Sequence, residues 1–73
     1  MIEILTKRPD KLVWTKTYNN GSVHTYEWIR GRRYGSGDYH PAPVVRDTGR
    51  VRHCIPGVGF KRMSDCLTWA EKN

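Results

Sequence analysis

The fold is decided by residues 11–30, which read KLVWTKTYNNGSVHTYEWIR. Two runs of β-branched and aromatic residues, 11–18 and 23–30, flank the turn sequence NNGS at 19–22. Such residues favour the pleated, half-buried surface of a strand, and neither run contains Ala or Met. Asn-Gly readily adopts the positive φ angles of a tight two-residue turn. The stretch therefore predicts a β-hairpin.

Strand and turn signals continue on both sides of this hairpin. Before it, residues 2–5 predict a short strand that ends at the turn sequence Arg8-Pro9-Asp10. After it, a second hairpin is predicted around the Gly-containing loop at 47–49, with strand character that stops at Pro56-Gly57. The further strands are predicted at 2–5, 44–46, 50–55 and 58–60.

The hydrophobic period changes at the C-terminal end. Ser64 predicts an N-cap, and Asp65 suits the positive end of the helix dipole. A helical stripe is formed by Met63, Cys66, Leu67 and Ala70, with Trp69 on its shoulder. A helix of about nine residues is marginal alone, so it must dock on the sheet. The predicted fold class is α+β, an antiparallel sheet of four to five short strands with one C-terminal α-helix packed on one face.

The turn length predicts which side chains share a face of the sheet. A two-residue turn would place even positions of the first strand with odd positions of the second. The predicted core is then Leu12, Trp14, Val23 and Ile29, covered by Leu67 and Trp69. Tyr26 and Trp28 fall on the other face, where Tyr26 is expected to be partly exposed. Trp28 is open to two interpretations, core residue or binding surface.

Length and composition limit the class of protein. The 73 residues predict one small domain, 1–73, too short for a two-domain enzyme with a cofactor fold. No apolar run reaches the roughly 18 residues of a membrane span, and the start Met1-Ile2-Glu3 is not typical of a signal peptide. We therefore expect a cytoplasmic protein with no membrane partner. Cys54 and Cys66 are interpreted as small buried residues or, alternatively, as one disulfide. No close Cys or His pair indicates a metal, and no cofactor is expected.

The net charge of +6 is concentrated in the middle of the chain. Eight Arg or Lys against two Asp give residues 30–62 a charge of +6, whereas residues 1–29 carry +1 and residues 63–73 carry −1. Within this segment the irregular basic loop 30–43 contains RGRRYGSGDYH at 30–40, which mixes Gly, Arg and Tyr. Arginines pair with phosphates and tyrosines stack on bases. The predicted binding residues are Tyr26, Arg30, Arg32, Arg33, Tyr34, Tyr39, Arg46, Arg50, Arg52, Lys61 and Arg62.

The residue types predict a binding protein and not an enzyme. No pair of carboxylates has a recognisable acid–base spacing, and no nucleophile lies in a known catalytic pattern. The favoured function is a nucleic-acid-binding module for DNA or RNA that uses the Arg/Tyr-rich loop and the second hairpin. The alternative is a protein that binds an acidic protein surface, because Tyr and Arg are also enriched in interface hot spots.

Two resemblances accompany these predictions. Residues 22–32 carry S-x-x-T-x-x-W-I-R-x-R and residues 41–50 carry P-A-P-V-V-R-D-x-G-R, a combination that resembles phage excisionases of the lambda type. That resemblance implies a small winged-helix protein that bends DNA, with a recognition helix in the first block and a wing in the second. Residues 60–71 are similar to the closing strand and helix of small phage and mobile-element proteins, including anti-CRISPR proteins. This second resemblance implies an inhibitor of a host or bacterial defence protein.

Overall fold

The computed structural model describes residues 2–33 and 41–73, which form five strands and one helix. The strands make one antiparallel sheet in the order β1-β2-β3-β4-β5, and the helix contacts β1, β2 and β5. The elements are β1 (Ile2–Arg8), β2 (Lys11–Thr17), β3 (Val23–Ile29), β4 (Ala42–Asp47), β5 (Arg52–Phe60) and α1 (Met63–Lys72). The predicted α+β class, with a sheet and one C-terminal helix, is confirmed.

The β2–β3 hairpin is present, but its turn is one residue longer than predicted. The Tyr18 N–H donates to the Ser22 carbonyl over 2.9 Å, which closes a loop of three residues. Gly21 has a φ of 86°, and no non-glycine residue in the described part of the chain has a positive φ. The loop is therefore the three-residue type that places Gly in the left-handed region.

This extra residue reverses the predicted face assignment. Leu12 lies opposite Trp28, and Trp14 lies opposite Tyr26, so even positions of both strands share the helix-covered face. Leu12 and Trp14 are core residues, as predicted, but Val23 is 54% exposed and Ile29 is half-buried on the other face. The predicted core positions of Val23 and Ile29 are therefore wrong.

Two aromatic residues take the vacated core positions. Trp28 is fully buried, which decides between its two interpretations in favour of the core. Tyr26 is only 5% exposed, so the expectation that it is partly exposed is wrong. Its ring stacks on Trp14 with a centroid distance of 5.3 Å and an interplanar angle of 7°. Neither face of the Tyr26 ring is open to a base.

The last strand is longer than the sequence indicates. β5 continues through Pro56 and Gly57, where a strand end was predicted. The pairing with β4 changes register between Pro43 and Val45, and Gly57 adopts a φ of 74°. A bulge of this kind accommodates a proline without an N–H and a glycine in the left-handed region without ending the strand.

The helix begins two residues earlier than a Ser64 N-cap would place it. Arg62 occupies the N-cap position and makes no side-chain capping bond, while the Ser64 carbonyl accepts from the Thr68 hydroxyl over 3.1 Å. Cys66 and Ala70 are buried against the sheet, and Trp69 meets Trp14 edge to face at 6.3 Å. Among the described residues, no helix is long and apolar enough to cross a membrane.

The two cysteines are free thiols in different surroundings. Cys66 is fully buried between the helix and the sheet, and burial raises its pKa to about 12. Cys54 is half-buried and pairs with Val45, on the face away from the helix. The interpretation of Cys66 as a small buried residue is therefore confirmed.

Candidate functional site

The antiparallel order divides the polar residues between two ends of the sheet. One end, called the loop end here, contains the 9–10 turn, residues 30–33 and residues 61–62. The opposite end, called the turn end, contains the 18–22 and 48–51 turns and the C-terminus of α1. Strands of seven residues separate the two ends by roughly 20 Å. A ligand of the size of one nucleotide in a site at one end therefore does not reach the other end, although the side chains of Arg32 and Arg52 meet at Glu27 between the two.

The loop end collects five of the eight predicted binding cations. Ala42, at the start of β4, pairs with Phe60, and the Trp28 indole N–H donates to the Phe60 carbonyl over 3.0 Å. The end of β3 is thereby held beside the end of β5, although about 30 residues separate them in sequence. The cations that follow these strand ends are Arg30, Arg32, Arg33, Lys61 and Arg62.

Two predicted arginines form ion pairs with Glu27 on the open face of the sheet. Arg32 Nη2 lies 2.9 Å and Arg52 Nη2 lies 2.8 Å from Glu27 Oε1. Lys11 Nζ is 4.0 Å from the second Glu27 oxygen. Burial of Glu27 raises its pKa, but the hydrogen bonds and charges of Arg32 and Arg52 outweigh burial, so the pKa lies below 4.5. Arg32 and Arg52 are therefore already paired with a carboxylate, and both are less available to bind an external anion.

Glu27 gives the stability of the sheet a pH dependence. Its folded pKa is lowered, so its contribution is present above the unfolded value near 4.5 and is lost as pH falls through the folded value. We expect Glu27→Gln to lower the free energy of unfolding at pH 7 by about 1 kcal/mol and to flatten the loss of stability between pH 5 and pH 3. Urea denaturation at several pH values measures both effects. An unchanged acid profile in the variant would contradict the assignment.

The turn end contains a cleft of about 180 Å³ on the helix-covered face. Its walls are Trp14, Lys16, Tyr18, Tyr26, Arg46, Ile55, Trp69, Ala70 and Asn73. Arg46 is half-buried there, with Nη2 3.0 Å from His53 Nε2. The hydroxyl groups of Tyr18 and Tyr26 are hydrogen-bonded to each other. Among the residues that the structure describes, no Asp or Glu side chain lines this cleft.

Several residues in this cleft or next to it were not predicted as site residues. Lys16 and Tyr18 continue the even positions of β2, and His24 packs on Tyr18 with ring centroids 4.7 Å apart. His53 joins them because it pairs with Arg46 across β4 and β5. The sequence signal is a run of polar and aromatic residues at every second position beyond Trp14. That signal becomes readable only when the turn length, and hence the shared face, is known.

The remaining predicted residues are dispersed. Arg46, Arg50 and Arg52 belong to the turn end, with Arg50 exposed in the 48–51 turn. Tyr26 contributes its hydroxyl to the cleft, but its buried ring is not available for stacking. The predicted stacking residues Tyr34 and Tyr39 lie outside the described residues. The loop end and the turn end therefore divide a binding surface that the sequence predicts as one.

Strand β3 also bears on one resemblance. Residues 23–29 are extended and paired on both sides, so the recognition helix that the excisionase resemblance implies for residues 22–32 is not formed. Comparison of the chain with protein-family models, with curated proteins and with solved structures finds no significant match.

Proposed function

We propose that this protein is a non-enzymatic nucleic-acid-binding module of the cytoplasm that contacts a phosphate backbone with its loop end. The observation that carries the proposal is the collection of five cations from two distant segments at the loop end of the sheet. Arg30 and Arg62 are both exposed there. A cluster of arginines and lysines on one side of a small domain suits a polyanion, because each phosphate contact releases condensed counterions.

The two exposed arginines are suited to this role for a geometric reason. Arg30 follows the last residue of β3, and its backbone N–H donates to the Asp10 carbonyl over 2.9 Å. Arg62 is the residue before the helix and has an extended backbone. Both side chains thus leave the domain from anchored backbone positions. An anchored guanidinium loses less freedom on binding than one on an unstructured segment.

The test compares two double variants with the same change in net charge. A fluorescently labelled single-stranded oligonucleotide is titrated with the full chain at low and at higher salt. We expect Arg30→Ala with Arg62→Ala to weaken binding at least tenfold and to reduce the salt slope by about 1.4, the value for two lost single-strand contacts. Arg50→Ala with Lys72→Ala removes two exposed cations from the turn end. This control should change the affinity and the slope much less.

Three outcomes would contradict the proposal. Absence of binding at low salt excludes nucleic acid as the partner. A slope that does not change in the loop-end variant excludes phosphate contacts by Arg30 and Arg62. Equal losses in the two variants would show that net charge alone drives binding. Absence of oligonucleotide binding would favour the alternative function, capture of an acidic surface on a host or bacterial defence protein by the same cations.

A further inference from the structure

Arg46 fixes the position of the ring proton of His53 beside the turn-end cleft. Its guanidinium is bonded to His53 Nε2 over 3.0 Å, and its charge opposes the rise that burial causes in the pKa of the neighbouring Tyr26 hydroxyl. A guanidinium has five N–H donors and no acceptor. His53 must therefore accept a hydrogen from Arg46, and this requirement decides where its own ring proton lies.

The histidine is consequently a donor on its other side. Because His53 accepts at Nε2, its ring proton is on Nδ1. The Nδ1 atom is buried and has no partner among the described residues. The same is true of the Nε atom of Arg46. Buried donors without acceptors are uncommon, and each calls for a physical reason.

The Tyr18–Tyr26 pair supplies a further hydrogen-bond donor to the cleft. The hydroxyl groups of Tyr18 and Tyr26 share one hydrogen bond, in which either group can be the donor. Burial and the bond to Tyr18 raise the pKa of Tyr26 to about 12, so the group keeps its hydrogen at neutral pH. Because the pair has two hydroxyl hydrogens and only one shared bond, one hydrogen is left for a further acceptor. Tyr18 is half-buried and lies at the edge of the cleft.

The other walls add a second cation and an aromatic surface to the cleft. The Lys16 ammonium lies 5.3 Å from the centre of the Tyr18 ring, which places a second cation at the cleft. The half-buried Trp69 ring supplies an aromatic wall on the helix side. Lys16, Tyr18 and Arg46 thus offer donors beside an aromatic surface. A ligand that matches these donors carries an anionic group, which has hydrogen-bond acceptors only, next to a planar ring.

We propose that the turn-end cleft binds a phosphate group attached to a planar base, the chemistry of a nucleotide. The phosphate lies among Lys16, Tyr18 and Arg46, and the base lies against Trp69. This site goes beyond the loop-end contacts, because roughly 20 Å of sheet separates the two. The nucleotide is either free or the phosphorylated end of a single strand, and both present the same phosphate and ring.

The test follows the backbone and indole N–H signals of the ¹⁵N-labelled full chain by NMR. Adenosine 5′-monophosphate, adenosine and inorganic phosphate are titrated separately. We expect the monophosphate to shift the signals of residues 16–18 and the Trp69 indole, with at least tenfold tighter binding than either fragment. A 5′-phosphorylated and an unphosphorylated oligonucleotide then distinguish a strand end from a free nucleotide. Equal binding of adenosine and its monophosphate, or shifts confined to the loop end, would overturn the proposal.

Two hydroxyl deletions test the role of Tyr18. Tyr18→Phe removes the hydroxyl at the edge of the cleft, and we expect it to weaken monophosphate binding about tenfold or more, as for a hydrogen bond to a charged group. Thr15→Val removes a half-buried hydroxyl from the opposite face of β2 and should leave the affinity unchanged. The NMR spectrum also reports whether each variant is folded. Wild-type affinity in Tyr18→Phe would refute the donor assignment.

The loop-end double variant should retain monophosphate binding, so this site and the proposed function can fail separately.

Discussion

Replacing Trp28 by alanine is expected to remove most of the stability of the domain. Trp28 has no exposed surface, and its indole N–H donates to the Phe60 carbonyl over 3.0 Å. A Trp→Ala change in a core costs about 3–5 kcal/mol. At 0.05–0.15 kcal/mol per residue, a domain of 73 residues has roughly 4–11 kcal/mol in total. Urea denaturation followed by circular dichroism should show a variant that is largely unfolded or unfolds at low urea.

Two other variants separate the causes of this loss. Trp28→Phe keeps most of the ring but leaves the Phe60 carbonyl without its donor, and we expect it to cost about 1–3 kcal/mol. Val23→Ala changes a residue that a two-residue turn would place in the core. Because Val23 is 54% exposed, its removal should change the stability by less than about 0.5 kcal/mol. A large loss in Val23→Ala would mean that the hairpin has the other register.

Gly59→Ala is expected to be the second most damaging change, at about 1–3 kcal/mol. A Cβ atom at this position would lie 2.8 Å from the Pro41 carbonyl oxygen and 3.2 Å from that of Ala42. Both atoms belong to backbone, which cannot move aside as a side chain would. The first residues of β4 and the last residues of β5 must then separate. The free energy of unfolding measures the cost, and amide exchange should locate the weakened pairs at Ala42 and Phe60.

Gly57 offers a matched comparison on the same strand. It has a φ of 74° and no atom within 4 Å of a Cβ position, so substitution there strains the backbone without a clash. Gly57→Ala should cost about 1–2 kcal/mol, and Gly57→Asn less, because Asn tolerates the left-handed region. At Gly59, Asn should be at least as harmful as Ala. If Gly59→Asn recovers stability relative to Gly59→Ala, the clash is not the cause.

The sequence predicted a strand or helix correctly where one local pattern determines that element. β-branched and aromatic runs indicated the hairpin, and a 3.6-residue stripe indicated the helix. Strand limits moved by a few residues because hydrogen bonds across the sheet extend a strand past local breakers. Pro56 and Gly57 are such breakers, and the bulge between β4 and β5 accommodates them.

The candidate site was less predictable because it depends on contacts between distant segments. The charge of residues 30–62 reads as one basic surface in the sequence, yet the fold separates it into two ends and pairs Arg32 and Arg52 with Glu27. No periodicity in the sequence indicates that Glu27, 25 residues away from Arg52, is its partner.

By itself, the sequence determined that this is a small basic α+β domain with a hairpin at residues 11–30 and a helix at its end. Local propensity and hydrophobic period are sufficient for that. Only the tertiary structure decided which side chains share a face, because a strand has a side-chain period of two and one extra turn residue exchanges the two faces. That single residue buries Tyr26 and Trp28, exposes Val23 and brings Lys16, Tyr18 and Arg46 to one cleft.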